Sequence, residues 1–193
     1  MTQVQLPKKI LILSANPIKT PQLRLDQEVR EIKEVLQKAR NRDSFEVLIE
    51  TAVRTRDIQQ IMLEHRPQIV HFCGHGDSSQ GLAFEDIDGR VKFVTAKALS
   101  TLFWLCAADV ECVVLNACYS VAQAKGIANH IKYVVAMRQA VGDKAAIEYA
   151  RGFYLAIFSG KAYDIAHEFG RSAIQIENLG EEMTPIIKKK ERD

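Results

Sequence analysis

Apolar residues follow two alternating periods along this chain, and the alternation predicts strands and helices in turn. Lys9 to Ser14, a β-branched and leucine run closed by Ala15-Asn16-Pro17, predicts the first strand. Over residues 23–40, Leu25, Val29, Ile32, Leu36 and Ala39 recur at spacings of four and three, which predicts a helix. Its outer face carries acid-before-base pairs, Asp26 with Arg30 and Glu34 with Lys38, each worth about 0.2–0.5 kcal/mol. Phe45 to Thr51 predicts a second strand, 55–65 a helix stopped by Arg66-Pro67, and Gln68 to Cys73 a third strand bounded by Gly74. The alternation then breaks: Leu82 to Glu85 and Val91 to Val94 flank Asp88-Gly89, the pattern of a small antiparallel hairpin. Beyond it come a helix at 95–106, a continuously apolar strand from Cys112 to Asn116, a short helix at 121–129 and a strand from Tyr133 to Met137. A helix at 143–159 has Asp143 as its expected cap and Gly160 as its stop. A last helix at 162–178 is phased with Ile165, Phe169, Ala173 and Ile176 inward, and Thr184 to Ile187 forms a short final strand.

Strands alternating with helices imply an α/β fold, a mainly parallel sheet covered on both faces. With 193 residues and no repeat or linker-like tract, the chain reads as one domain over 1–187; residues 188–193 read as a charged tail or the start of a linker in a longer parent. The formal net charge of +2 argues against a nucleic-acid partner bound by bulk electrostatics. Apolar runs are too short to span a bilayer and the amino-terminal residues do not resemble a secretory signal, so the expectation is a soluble, cytoplasmic protein without a membrane partner. Cys73, Cys106, Cys112 and Cys118 form no C-x-x-C pair and are expected as free thiols.

In such sheets chemistry gathers at the carboxyl ends of the strands. The first strand ends without G-x-G-x-x-G, and no G-x-x-x-x-G-K-[ST] occurs, so neither common nucleotide-binding loop is present and no cofactor is expected. The third strand runs into His71-Phe72-Cys73-Gly74-His75-Gly76-Asp77, and the fourth into Asn116-Ala117-Cys118-Tyr119-Ser120. If these strands are neighbours, the side chains of His75 and Cys118 meet at one rim, the arrangement that nucleophilic cysteine chemistry needs. The N–H groups of Gly76 and Cys118 are then candidates for an oxyanion hole. His71, Cys73 and His75 alternate along a strand and so share a face, a competing metal pattern that lacks the spacing and fourth ligand of common zinc sites; no metal is expected. Cys106 and Cys112 read as small core hydrophobes, and His65, His130 and His167 as surface or packing residues.

These residues resemble the CHAT domain, a caspase-like branch of cysteine peptidases related to separase. The likeness lies in His71-Phe72-Cys73-Gly74-His75-Gly76 and Leu115-Asn116-Ala117-Cys118, and continues through Gly81 to Asp86, Tyr133 to Met137, Asp143 to Ala146, Phe153-Tyr154 and Gly160. It implies a caspase-like three-layer sandwich around a roughly six-stranded sheet, with Cys118 as nucleophile and His75 as general acid/base. It further implies a protein or peptide substrate and a regulatory domain or partner protein, with residues 77–81 and 119–125 able to rearrange on activation. In caspase-like enzymes the residue two before the nucleophile helps line the P1 pocket; here it is the neutral Asn116, so no charged P1 residue is demanded unless Asp77 or Asp143 enters the pocket. The alternative is a caspase-like module that keeps the fold as an interaction scaffold and is catalytically idle.

Overall fold

A computed structural model describes residues 6–190. Strand β1 (Lys8–Ala15) lies between β2 (Phe45–Glu50) and β3 (Ile69–Gly74), and β3 pairs in parallel with β7 (Cys112–Asn116). Next come β8 (Tyr133–Met137), parallel to β7, and β9 (Pro185–Lys189), antiparallel at the edge, giving the order β2-β1-β3-β7-β8-β9. A second, three-stranded antiparallel sheet holds β4 (Gly76–Asp77), β5 (Gly81–Glu85) and β6 (Val91–Val94). The hairpin predicted around Asp88-Gly89 is β5–β6, with Gly89 at φ 74° in its connection. The two-residue β4, which extends it, carries no hydrophobic period and was invisible in the sequence.

Side-chain alternation divides the sheet into two cores. Leu11, Leu13, Val70, Phe72, Val113 and Leu115 face α2 (Ile58–His65), α3 (Ala96–Leu105) and α4 (Val121–Ile127). Ile10, Ile12, Cys73, Cys112 and Val114 face α1 (Leu25–Lys38), α5 (Asp143–Phe158) and α6 (Tyr163–Ile176). The result is the three-layer α/β sandwich of caspase-like proteins, with strands that are apolar on both faces because both faces are covered.

Three expectations need correction. The inward face of α6 is Ala166, His167, Gly170, Ala173 and Ile174, whereas Ile165, Phe169 and Ile176 are 45% to 71% exposed. Small residues win that interface because α5 and α6 approach closely: a Cβ on Gly152 would stand 2.6 Å from the Phe169 carbonyl oxygen, and one on Gly170 2.6 Å from the Tyr149 ring. On α1, Lys38 pairs with Glu34 as expected, but Arg30 turns to Glu31 and Glu34 and not to Asp26. Finally, Lys188 and Lys189, assigned to the tail, belong to β9, whose pairing with β8 supplies the backbone partners that a terminal strand needs. Residues 191–193 of that tail lie outside the described residues.

Candidate active site

The register between β3 and β7 sets the site. Cys73 pairs with Asn116, so His75 and Cys118 each stand two residues beyond the last paired positions, at the same carboxyl rim of the central strands. The next step is local. A Cβ on Gly76 would collide with the Cys118 carbonyl oxygen and stand 3.3 Å from the Ala117 Cβ, so the His75-Gly76 backbone runs directly over the Cys118 turn and only glycine fits there. The Ala83 N–H donates to the His75 carbonyl at 3.0 Å, which makes Gly76–Leu82 a non-hydrogen-bonded pair of the β4–β5 ladder. The Gly76 N–H therefore points out of that ladder.

Cys118 is half-buried, and its sulfur lies against the loop from β8 to α5: the Val141 N–H donates to Sγ at 3.4 Å, and Sγ stands 3.9 Å from the Val141 carbonyl. Tyr119, directly after it, adopts φ 54°, a left-handed conformation costly for an aromatic residue and held by Tyr119 N–H to Gln139 and Ser120 N–H to Met137. Backbone strain of this kind concentrates where a side chain must be presented at a sharp turn. His75 is oriented from the other side. Its Nε2 donates to the Pro21 carbonyl at 2.8 Å, and since a carbonyl only accepts, the proton sits on Nε2 and Nδ1 is left to take another. Nothing in the sequence pattern marks Pro21 or Val141; both act through backbone groups, which carry no side-chain signature.

The remaining site candidates are each engaged within the protein. Asp77 accepts from the Ser79 and Gln80 N–H groups, both at 2.8 Å, and from the Ser79 hydroxyl, bonds that lower its carboxyl below the ordinary range. Asp143 opens α5 one residue after its Gly142 cap, and its carboxylate accepts from Arg24 Nε at 2.9 Å, tying the β1–α1 segment to the β8–α5 loop. Asn116 is 4% exposed and donates through Nδ2 to Glu28 at 2.6 Å and to the Ala146 carbonyl at 3.0 Å, leaving its Oδ1 buried without a partner among the described residues. Of the segments expected to rearrange, 77–80 form this carboxylate-capped turn, and residues from Val121 onward are helical in α4.

Beneath the rim lies a polar group that the periodicity did not reveal. Glu28 of α1, 3% exposed, occupies a position that the α1 pattern leaves polar. Its Oε1 accepts from His71 Nε2 at 2.7 Å as well as from Asn116, and His71 Nδ1 is 3.1 Å from the Tyr154 hydroxyl. Glu28, His71 and Cys73 are the described residues that could share a metal, with ligand-type atoms within 4.8 Å of one another. The Glu28–His71 bond already occupies two of those atoms, and burial followed by the Glu28 charge pushes the Cys73 thiol well up, away from the thiolate a metal takes. His75, the third member of the alternating pattern, faces Pro21 instead.

No helix among the described residues is long and apolar enough to cross a membrane. A family model described as the CHAT domain matches residues 3–166. A Roc-COR-CHAT protease from an unknown prokaryotic organism is 32% identical over 175 residues, 87% of this chain and 16% of the relative. A protein named "Probable protease" from Gillisia limnaea is 26% identical over 175 residues, 89% of this chain and 31% of the relative. The chain thus spans less than a third of the length of either. With the sheet order, the rim and the family match in agreement, this chain belongs to the CHAT domain family.

Proposed function

We propose that the chain is a cysteine endopeptidase domain with Cys118 as nucleophile and His75 as general acid/base. The observation that carries this reading is the Cys73–Asn116 register, which sets both residues equally far beyond neighbouring strands. His75 Nδ1 takes the proton from the Cys118 thiol, and Sγ forms a bond to the scissile carbonyl carbon. The Gly76 and Cys118 N–H groups stabilise the resulting oxyanion. As the C–N bond breaks, the proton passes from Nδ1 to the leaving amine. Water then attacks the thioester, His75 takes a proton from it, and the acid product leaves as that proton returns to Sγ. The Pro21 carbonyl holds the imidazole in the required tautomer throughout.

On the substrate side, the reading includes Asn116, Asp77 and Asp143 around the P1 position. Asn116 is neutral and the two carboxylates are already satisfied by Arg24 and by backbone N–H groups, which supports a pocket with no demand for a charged P1 residue. A P1-scanning peptide library reads this, and an absolute requirement for Arg or Asp overturns it. The name Roc-COR-CHAT of one relative supports regulation by an attached module or activating signal, and the four free thiols fit a reducing, cytoplasmic setting.

The test is alkylation by iodoacetamide together with turnover. Burial raises the thiol pKa of Cys73, Cys106 and Cys112, so Cys118 is expected to label far faster than these three, and to slow when His75 is replaced by Ala. Cys118→Ala is expected to lose turnover and keep its melting temperature. Turnover unchanged in Cys118→Ala removes the peptidase reading; uniformly slow labelling makes the chain an idle scaffold with the same fold.

A further inference from the structure

The edge strand β9 ends in Lys188 and Lys189, Lys190 follows directly, and one face of this segment opens into a groove of about 700 Å³. Lys188 and Lys190 line it from the end of the strand and the residue just beyond it, and Lys125, Ala128 and Asn129 from α4 and the residues that follow it. Lys189 also borders the groove, but its Nζ is engaged by Asp164 at 3.0 Å and lies over the Tyr133 ring. Among the described residues, Lys125, Lys188 and Lys190 pair with no carboxylate. Three cations therefore share one groove with Ala128 and Asn129 beside them.

The backbone of β9 adds a second, independent feature. The Lys190 N–H donates to the Lys132 carbonyl and the Arg138 N–H to the Thr184 carbonyl. Those bonds fix the phase of the β8–β9 ladder: Ile186 and Lys188 are its hydrogen-bonded residues, and Ile187 and Lys189 turn their N–H and C=O groups outward. Since β9 is the last strand of the sheet among the described residues, these four groups form an open template for one more strand.

We infer that the β9 edge docks an extended acidic segment of a partner protein by strand addition. The alternating donors and acceptors of Ile187 and Lys189 match an extended main chain. Carboxylates on one face of the added strand would meet Lys125, Lys188 and Lys190. A nucleic acid meets the charge but not the paired N–H and C=O groups. The lysines lie toward the amino end of β8, where Lys189 pairs with Tyr133, while the His75–Cys118 rim lies at the opposite end, where Pro185 pairs with Met137. A strand bound there leaves Cys118 open, so the partner is a tether or regulator and the inference holds whether or not the rim is catalytic.

The experiment measures fluorescence anisotropy of a labelled short peptide alternating Glu and Val, added to the full 193-residue chain. Binding is expected that weakens with salt, that falls about tenfold or more in Lys188→Glu/Lys190→Glu and in Lys125→Glu, and that is lost when alternate valines become proline. Amide exchange at Ile187 and Lys189 is expected to slow in the complex. Lysines on an edge strand can also serve only to keep copies of a chain from pairing; absence of peptide binding at low salt supports that role and overturns the inference. So does a proline peptide that binds equally well without exchange protection, or displacement of the peptide by oligodeoxythymidylate at lower concentration.

Discussion

Two pairs of residues on the same two strands have opposite surroundings. His71 and Asn116 lie inside β3 and β7, at 0% and 4% exposure, and are joined through Glu28 in a closed hydrogen-bonded group. His75 and Cys118 lie past the ends of those strands, half-exposed, and are held mainly by backbone groups of Pro21 and Val141. Each pair contains a histidine, but the position relative to the strand end differs. Inside the sheet, a polar side chain can take its partners only from within the protein. At the rim, backbone groups of Pro21 and Val141 orient the side chains, and both stay partly exposed.

Substitutions break this comparison in opposite directions. His75→Ala is expected to lower kcat/KM by about 10⁴-fold, equivalent to about 5 kcal/mol in the barrier, with urea stability unchanged. A matching loss of stability would place His75 with the inner pair. Glu28→Ala is expected to act on stability first, costing about 3–4 kcal/mol, because the His71 N–H and one bond of Asn116 lose their buried acceptor. Urea denaturation measures it, and a loss under 1 kcal/mol would show that the group is not held by its carboxylate.

A smaller effect separates pH dependence of folding from that of the rim. Burial, with Arg171 nearby, lowers the His167 imidazole to about 4 although Glu168 opposes the shift. The unfolded chain takes up this proton near the ordinary 6.5, and the folded chain only near 4. Stability present above 6.5 is thus lost as pH falls through that window, by about 2 kcal/mol at pH 5. His167→Gln, which keeps an acceptor for the Tyr149 hydroxyl, is expected to flatten denaturation midpoints between pH 7 and pH 5. An unchanged slope assigns the acid sensitivity to other groups.

Much of the fold was legible because a strand apolar on both faces and a glycine-bounded turn are local properties. β1, β3, β7, β8 and the β5–β6 hairpin follow their hydrophobic runs closely. The phase of α6 was not legible: Ile165, Phe169 and Ile176 satisfy helical spacing, yet the tight α5 contact needs Gly170, Ala166 and Ala173 on the inner face. Glu28 was hidden for a related reason, since a buried carboxylate is indistinguishable from a surface one until its partners on other strands are known.

The amino-acid order alone determined which segments are strands and helices, because burial period and turn chemistry act over a few residues. It also marked His75-Gly76 and Cys118 as the residues that follow the two central strands. Tertiary structure decided that those strands are neighbours in a register that aligns their ends, that Pro21 and Val141 supply the backbone groups around the pair, and that β9 closes the sheet with an open, lysine-lined edge. Those are contacts between residues far apart along the chain, and their energies depend on distances that exist only after folding.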